Sequence, residues 1–241
     1  KQLCIITGVG PENGTGAEIA KYFSEKNYNV AMIARNTKNL INLEKKYNNS
    51  HAYPCDVGNI QKLLETLKQI KTDHGHADVL IHNTPSASRG SILELDPENL
   101  EKNFRVNTTA LLYLARETLP GMLIKKSGNI IVTGNTASTR GKSHWGFFAS
   151  TKASQRILAE SIAREFGPKG IHVAYFIIDA AIDTPRTRPY MQPDKDDDFF
   201  AKPEAIAEEI YKTVQQDKST WSLYFPLSLS LITVPNQPNI I

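Results

Sequence analysis

Cysteine is scarce: Cys4 and Cys55 are the two in 241 residues. Both fall in segments that read as buried strand or strand end, where a free thiol behaves as a small apolar residue. A reducing, cytoplasmic setting is expected. An excess of one charge is missing as well. Lys and Arg number 28 against 25 Asp and Glu, a formal balance of +3, and no basic run gathers that surplus into a stripe. No nucleic-acid partner is therefore expected. Long apolar runs are absent. The most apolar late stretch, Trp221 to Val234, is broken by Pro226 and several serines and falls short of the ~20 residues a spanning helix needs. No membrane partner is expected. The N-terminus enters an apolar strand directly, without the basic region, apolar stretch and small-residue cleavage site of a signal peptide, so none is expected. Internal repeats, linkers and low-complexity tracts are also missing, and a chain of this length reads as one domain over 1–241.

What is present is an alternation. Short β-branched runs at Leu3–Thr7, Asn29–Ala34, Ser50–Pro54, Asp78–His82, Asn129–Thr133, His172–Ile177 and Leu223–Phe225 read as seven strands. Between them, Gly16–Lys26, Thr37–Tyr47, Ile60–Asp73, Pro97–Ile124, Phe147–Phe166 and Pro203–Gln216 carry apolar residues at helical spacing. The pattern predicts α/β architecture: a seven-stranded, mainly parallel sheet with helices on both faces. Pro97 and Pro203 suit first helical turns. The segment 184–202, rich in Pro and charge, follows the sixth strand and is expected to be a lid.

The first strand runs into Thr7-Gly8-Val9-Gly10-Pro11-Glu12-Asn13-Gly14-Thr15-Gly16, after which Ala17 and Glu18 open a helix. Glycines in that position let the backbone approach a pyrophosphate, and the free N–H groups of the helix start meet its charge. Gly8, Gly10, Asn13, Gly14, Thr15 and Gly16 are the phosphate-binding candidates. The second strand ends in Ala34-Arg35-Asn36. An NAD-preferring site usually places an acid there for the ribose 2′-hydroxyl; Arg35 instead offers paired, charge-assisted bonds to a 2′-phosphate, so NADP(H) is expected over NAD(H).

With Cys55-Asp56-Val57, His82-Asn83-Thr84, Arg105-Val106-Asn107 and Phe148-Ala149-Ser150-Thr151-Lys152 following in order, the chain resembles the short-chain dehydrogenase/reductase family from Leu3 to about Trp221. The resemblance implies a doubly wound Rossmann-type fold. It also implies that Asp56 and Val57 hold adenine and that Asn83 and Thr84 lie where the family has Asn-Ala-Gly. Asn107 matches the mid-helix Asn, and Lys152 matches the Lys of Tyr-x-x-x-Lys that bonds the nicotinamide ribose. By the resemblance, Ile182 and Thr184 would lie near the nicotinamide amide, in a turn that begins Asp179-Ala180 where the family usually has Pro-Gly. A homodimer or homotetramer through the two long helices is implied too. The tail Leu227–Ile241 is apolar enough to seek burial, in an interface or on its own domain.

The chemistry departs from the family pattern, and no metal site is expected. Phe148 stands where the resemblance puts the proton-passing Tyr, and Asn135 stands at the Ser position. The loop also has five residues between Gly8 and Gly14 where three is usual. The resemblance is thus to an atypical branch. Losing a positioned acid typically forfeits ~10²–10⁴ in rate without removing hydride proximity. The Asn135 amide can donate to a carbonyl oxygen; equally, it can bond its own loop. Asn107 with Lys152 can hold a relay water. His144, Ser138, Ser143 and Tyr190 are further donors nearby, although His144 sits in a segment that reads as exposed loop. A Tyr seven residues before Lys152 is also absent, since that position is Trp145.

The function expected is an NADP(H)-dependent oxidoreductase that reduces a small carbonyl substrate, aldehyde or ketone, with Lys152, Asn107, Asn135 and the Phe148 position as its catalytic set. The alternative, favoured by Phe148, is a non-catalytic NADP(H)-binding protein with a regulatory or scaffold role. A purely structural module would leave the nucleotide motifs unused.

Overall fold

The structure, a computed structural model, describes residues 1–189 and 194–228. Tyr190, and the tail from residue 229 onward, lie outside the described residues.

The strands are β1 (Leu3–Thr7), β2 (Asn29–Ala34), β3 (Ser50–Pro54), β4 (Val79–His82), β5 (Gly128–Asn135), β6 (Ile171–Asp179), β7 (Ala181–Ile182), β8 (Phe200–Ala201) and β9 (Tyr224–Ser228). Seven of them form one sheet in the order β3-β2-β1-β4-β5-β6-β9, parallel at every pairing. A parallel sheet is buried on both faces, and the strand residues divide accordingly. Leu3 and Ile5 of β1 join one core with Leu63, Leu67 and Ile70, while Cys4 and Ile6 join the other with Ile19, Leu40 and Ile210. Helices α3 (Ile60–His74), α5 (Ala110–Lys125) and α6 (Gly146–Phe166) cover the first face. Helices α1 (Thr15–Glu25), α2 (Thr37–Lys46) and α7 (Pro203–Val214) cover the second. This is the doubly wound, Rossmann-type α/β fold.

Local chemistry fixes the helix starts. Asn36 caps α2 by accepting from Asn39 N at 3.1 Å, and Asn59 caps α3 by accepting from Lys62 N at 3.1 Å; such caps satisfy backbone donors that lack intrahelical partners. At α1 the cap is Gly14, which offers no side-chain acceptor. That leaves the first N–H groups of the helix for another acceptor.

The expectation of one helix over Pro97–Ile124 is corrected. The segment is α4 (Glu98–Phe104), a π-helical turn over Arg105–Thr109, and α5. Tertiary bonds hold the wider turn: the Asn107 side chain pairs with Ser86 backbone and Thr151, and its carbonyl accepts from Gln155. Strands β5 and β6 also run further than expected, because pairing continues to Asn135 opposite Ile178. The segment expected to be all loop ends in β8, which pairs with β7.

β1 has β2 on one side and β4 on the other, so the chain reverses its direction of travel across the sheet there. Ligands of open α/β sheets bind at the carboxyl ends of strands at such a point.

His82, at the end of β4, is fully buried between Thr7 Oγ1 (3.0 Å from Nδ1) and the Val106 carbonyl (3.1 Å from Nε2). Burial, with repulsion from Lys152, pushes its pKa from 6.5 down to about 4. Below about 6.5 the unfolded chain takes a proton that the folded one refuses until about 4. This contribution to stability is therefore complete above pH 6.5 and is lost as the pH falls to 4, by about 3 kcal/mol. Urea unfolding at pH 7 and pH 4 should show that loss in the wild type, and His82→Asn should remove most of it.

Candidate active-site cleft

A cavity of about 330 Å³ opens at the carboxyl ends of β1, β4, β5 and β6. Eleven of the residues singled out from sequence line it: Gly8, Gly10, Gly14, Thr15, Gly16, Asn83, Asn135, Phe148, Lys152, Ile182 and Thr184.

The glycine loop forms the floor. Gly8 has φ +76°, a region L side chains rarely adopt, and a Cβ there would meet Thr84 N at 2.8 Å. Its amide donates to Ile33 O at 2.9 Å, and its carbonyl accepts from Asn83 Nδ2 at 3.2 Å. Thr133 Oγ1 in turn donates to Asn83 Oδ1 at 2.9 Å. Asn83 thus braces the ends of β1 and β5 against each other. The two extra loop residues are taken up in a turn closed by Gly14 N donating to Pro11 O at 3.0 Å, with Asn13 at φ +64°. Glu12 leaves the turn to pair with Lys46 of α2 at 2.7 Å.

The opposite wall is α6. Phe148 is 5% exposed and its ring leans on Trp145, centroids 5.9 Å apart. One turn on, Lys152 is buried, its Nζ donating to Thr133 O at 3.0 Å and Gln155 Oε1 at 2.5 Å. Burial pushes its pKa from 10.5 down to about 7. Tyr175 of β6 lies behind, its ring against Gly134 and its hydroxyl 3.3 Å from Gln155 Oε1; burial, first among the causes, raises its phenol well above the usual value.

Asn135 ends β5 in the cleft, and its buried Oδ1 accepts no hydrogen bond among the described residues. Among the described residues, that Oδ1 makes no bond to its own loop. It is the Asn135 backbone carbonyl that is used, accepting from Ser138 Oγ at 2.7 Å.

The remaining candidates lie outside the cavity lining. Arg35 and Asn36 are exposed at the end of β2. Asp56 is exposed beyond β3, accepting from Gly58 N at 2.9 Å, and Val57 is buried in the core. Thr84 has a buried hydroxyl without a partner among the described residues, and Asn13 sits on the loop turn. Asn107 is fully buried in the π turn. The gap in which Asn107 and Lys152 were expected to hold a water is bridged by Gln155, which donates from Nε2 to Asn107 O at 2.6 Å while accepting from Lys152. His144 and Ser143 are exposed and do not line the cavity.

Arg186 and Thr187 of the lining fall in the segment expected to be a lid and Pro11 in the glycine loop, whereas sequence reasoning missed Pro85, Thr133, Gly134, Ile178, Ala180 and Ala181. Gly134 and Ile178 lie in β5 and β6 just past the expected strand ends at Thr133 and Ile177. It also missed Gln155, although a polar residue three positions after Lys152 on a buried helical face was a signal. Beyond β7, Arg188 pairs with Asp183 at 2.7 Å and with Asp197 at 2.7 Å, fastening the segment's two ends together.

Among the described residues no group of three or more His, Cys, Asp or Glu side chains can hold a metal ion, and no helix is long and apolar enough to cross a membrane.

A family model described as short chain dehydrogenase matches residues 2–194. An uncharacterized oxidoreductase of Staphylococcus aureus (strain USA300) is 24% identical over 219 residues, covering 90% of this chain and 92% of that protein. A crystal structure of a short-chain dehydrogenase from Rhodopseudomonas palustris superimposes with TM-score 0.78 at 30% identity, covering 94% of this chain and 97% of the other. A metagenomic short-chain oxidoreductase in complex with NADP superimposes with TM-score 0.80 at 20% identity, covering 94% and 96%.

Proposed function

The chain belongs to the short chain dehydrogenase family, and we propose that it is an NADP(H)-dependent reductase of a small carbonyl compound, an aldehyde or a ketone. Oxidoreductase chemistry, a nicotinamide cofactor and a small-molecule substrate come with the family; the phosphorylated cofactor, the carbonyl and the atypical site are our reading. The observation that carries it is one cleft in which the glycine loop, the uncapped start of α1, Asn135 and Lys152 meet.

The residues present fit the cofactor. Gly8, Gly10, Gly14, Thr15 and Gly16, with Asn13 shaping the turn, would hold the pyrophosphate against the N–H groups of α1. Asp56, Val57, Asn83 and Thr84 would hold the adenosine side, Ile182 and Thr184 the nicotinamide amide, and Lys152 the ribose. When bound, the reduced nicotinamide supplies a hydride. Arg35 and Asn36 would take the 2′-phosphate, which the NADP bound by the metagenomic relative also carries.

A charge-assisted bond is worth about 1.5–3 kcal/mol, so Arg35→Asp should reduce the preference for NADPH over NADH by at least ~10–100-fold. The ratio of KM values for the two cofactors measures it directly.

On the substrate side, the Asn135 amide would polarise the carbonyl oxygen as an oxyanion-hole donor does. Asn107 would position rather than react, since it is fully buried and bonded to Ser86, Thr151 and Gln155. Phe148 occupies the place where the family's Tyr would act, and Pro85, Phe148, Ile178 and Ile182 give the cavity apolar walls. We read 1–241 as one domain with residues 184–202 as its lid. A homodimer or homotetramer is supported by Leu112 on α5 and Ile157 on α6, exposed by 41% and 51%.

A panel of aldehydes and ketones with NADPH, followed at 340 nm, tests the reading. Substrate-dependent oxidation above background is the expected result. Tight NADPH binding with no oxidation across the panel would instead favour a non-catalytic NADP(H)-binding protein, the reading to which the missing phenol at position 148 points.

A further inference from the structure

A carbonyl reductase needs a proton as well as a hydride, and the cleft offers few sources. Of the described residues lining it, Lys152 and Arg186 alone carry titratable groups. A guanidinium keeps its proton at any working pH, and the threonine hydroxyls are far weaker acids. Ser138 is committed to Asn135 O. Tyr175 is fully buried behind Gly134.

Lys152 is held in an unusual way for a buried ammonium. Its two acceptors, Thr133 O and Gln155 Oε1, are neutral. Gln155 is itself locked, because its Nε2 donates to Asn107 O at 2.6 Å and its Oε1 also receives the Tyr175 hydroxyl. An ammonium has three N–H groups, so one remains for the cleft that Lys152 and Asn135 both line, where it can turn from the ribose to the carbonyl oxygen. The groups that face it are His82 from β4, Thr133 and Asn135 from β5, Tyr175 from β6, Asn107 from the π turn and Gln155 from its own helix. Arg156, next on α6, turns away to Ser138 O and Tyr224 Oη. None of these is an anion, and burial alone acts on the ammonium.

Resting on the reductase reading, we propose that the Lys152 ammonium is the proton donor to the carbonyl oxygen, in place of the absent phenol, and that Gln155 is the positioning residue that aims it without neutralising it. With a hydride that bound reduced nicotinamide would supply to the carbonyl carbon, the C=O π pair would move to oxygen. The Lys152 N–H bond breaks, its proton forms the new O–H bond, and the electron pair stays on nitrogen. The neutral amine then takes a proton from water. A donor with a pKa of about 7 is matched to this work near neutral pH.

The test follows kcat for NADPH oxidation with 4-nitrobenzaldehyde as probe, from about pH 5.5 to 10, in the wild type, Gln155→Glu and Lys152→Arg. NADPH affinity is measured on each variant, and Lys152 is titrated separately by NMR of protein carrying ¹³C-lysine. The acid is the active form, so wild-type kcat should fall tenfold per pH unit above an apparent pKa near 7, matching the NMR titration. Gln155→Glu puts a carboxylate against the ammonium and should move both curves up by a pH unit or more. Lys152→Arg should lower kcat ~10²-fold or more at saturating NADPH, the measured affinity separating loss of the ribose contact from loss of the proton.

A kcat independent of pH between about 6 and 9 would overturn the proposal. So would curves that Gln155→Glu leaves in place, or a Lys152 that stays protonated past pH 9. Turnover with a normally titrating Lys152 removes this proposal and leaves the reductase reading standing. Bound NADPH with no turnover at any pH removes both. If Lys152→Arg does not fold, Gln155→Glu with the NMR titration still decides.

Discussion

Phe148→Tyr is expected to raise kcat for carbonyl reduction by about 10²-fold, because a positioned general acid contributes ~10²–10⁴ in rate. The low end applies if Lys152 already supplies a proton. The side chain at 148 lines the cleft one helical turn before Lys152, in the same cavity as Asn135. A phenol there would place an O–H against a cationic neighbour, and a nearby positive charge lowers the pKa of a phenol. Its own backbone is well anchored: the amide donates to Trp145 O at 3.1 Å and the carbonyl accepts from Thr151 Oγ1 at 2.9 Å. The added oxygen thus changes the chemistry of the cleft more than its shape. Steady-state rates at saturating NADPH measure the effect, with thermal unfolding to check that the variant is intact. A gain would show that the cleft geometry suits carbonyl reduction. A rate unchanged from wild type would mean that the proton arrives by a path that position 148 does not touch.

Gly16→Ala should weaken NADPH binding by at least ~10²-fold and cost about 1–3 kcal/mol of stability, the usual cost of forcing extra volume into a closed space. A Cβ on Gly16 would land on the Gly8 carbonyl oxygen and lie 3.0 Å from Asn83 Nδ2. The obstructing atom is backbone, so no rotamer change relieves it. To make room, α1 must move away from the end of β1, and the N–H groups that would meet the pyrophosphate move with it. Gly141→Ala is the control: nothing lies within 4 Å of its Cβ position, and both affinity and melting temperature should stay close to wild type. A Gly16→Ala protein that binds NADPH normally would show that the phosphates lie elsewhere.

Much of this arrangement was legible in the sequence because it is written locally. The strands expected at Leu3–Thr7 and Asn29–Ala34 are apolar but for Thr7 and Asn29 at their ends, as strands covered on both faces must be, and both match the structure. The glycine loop showed itself by its place between β1 and α1. What sequence could not show depends on contacts made across the fold. The π turn at Arg105–Thr109 interrupts no helical period; it exists because Ser86, Thr151 and Gln155 pull on Asn107. Asn135 looked like a loop residue after Gly134, but its strand continues because Ile178 continues opposite it. Gln155 carries no motif. Its part emerges only when β5, α6 and the π turn come together around one ammonium.

Fluorescence titration of NADPH and NADH into the protein at moderate salt tests the central reading most directly. Saturable binding of both is predicted, with NADPH tighter by ~10-fold or more through Arg35. The absence of saturable binding by either cofactor would contradict it.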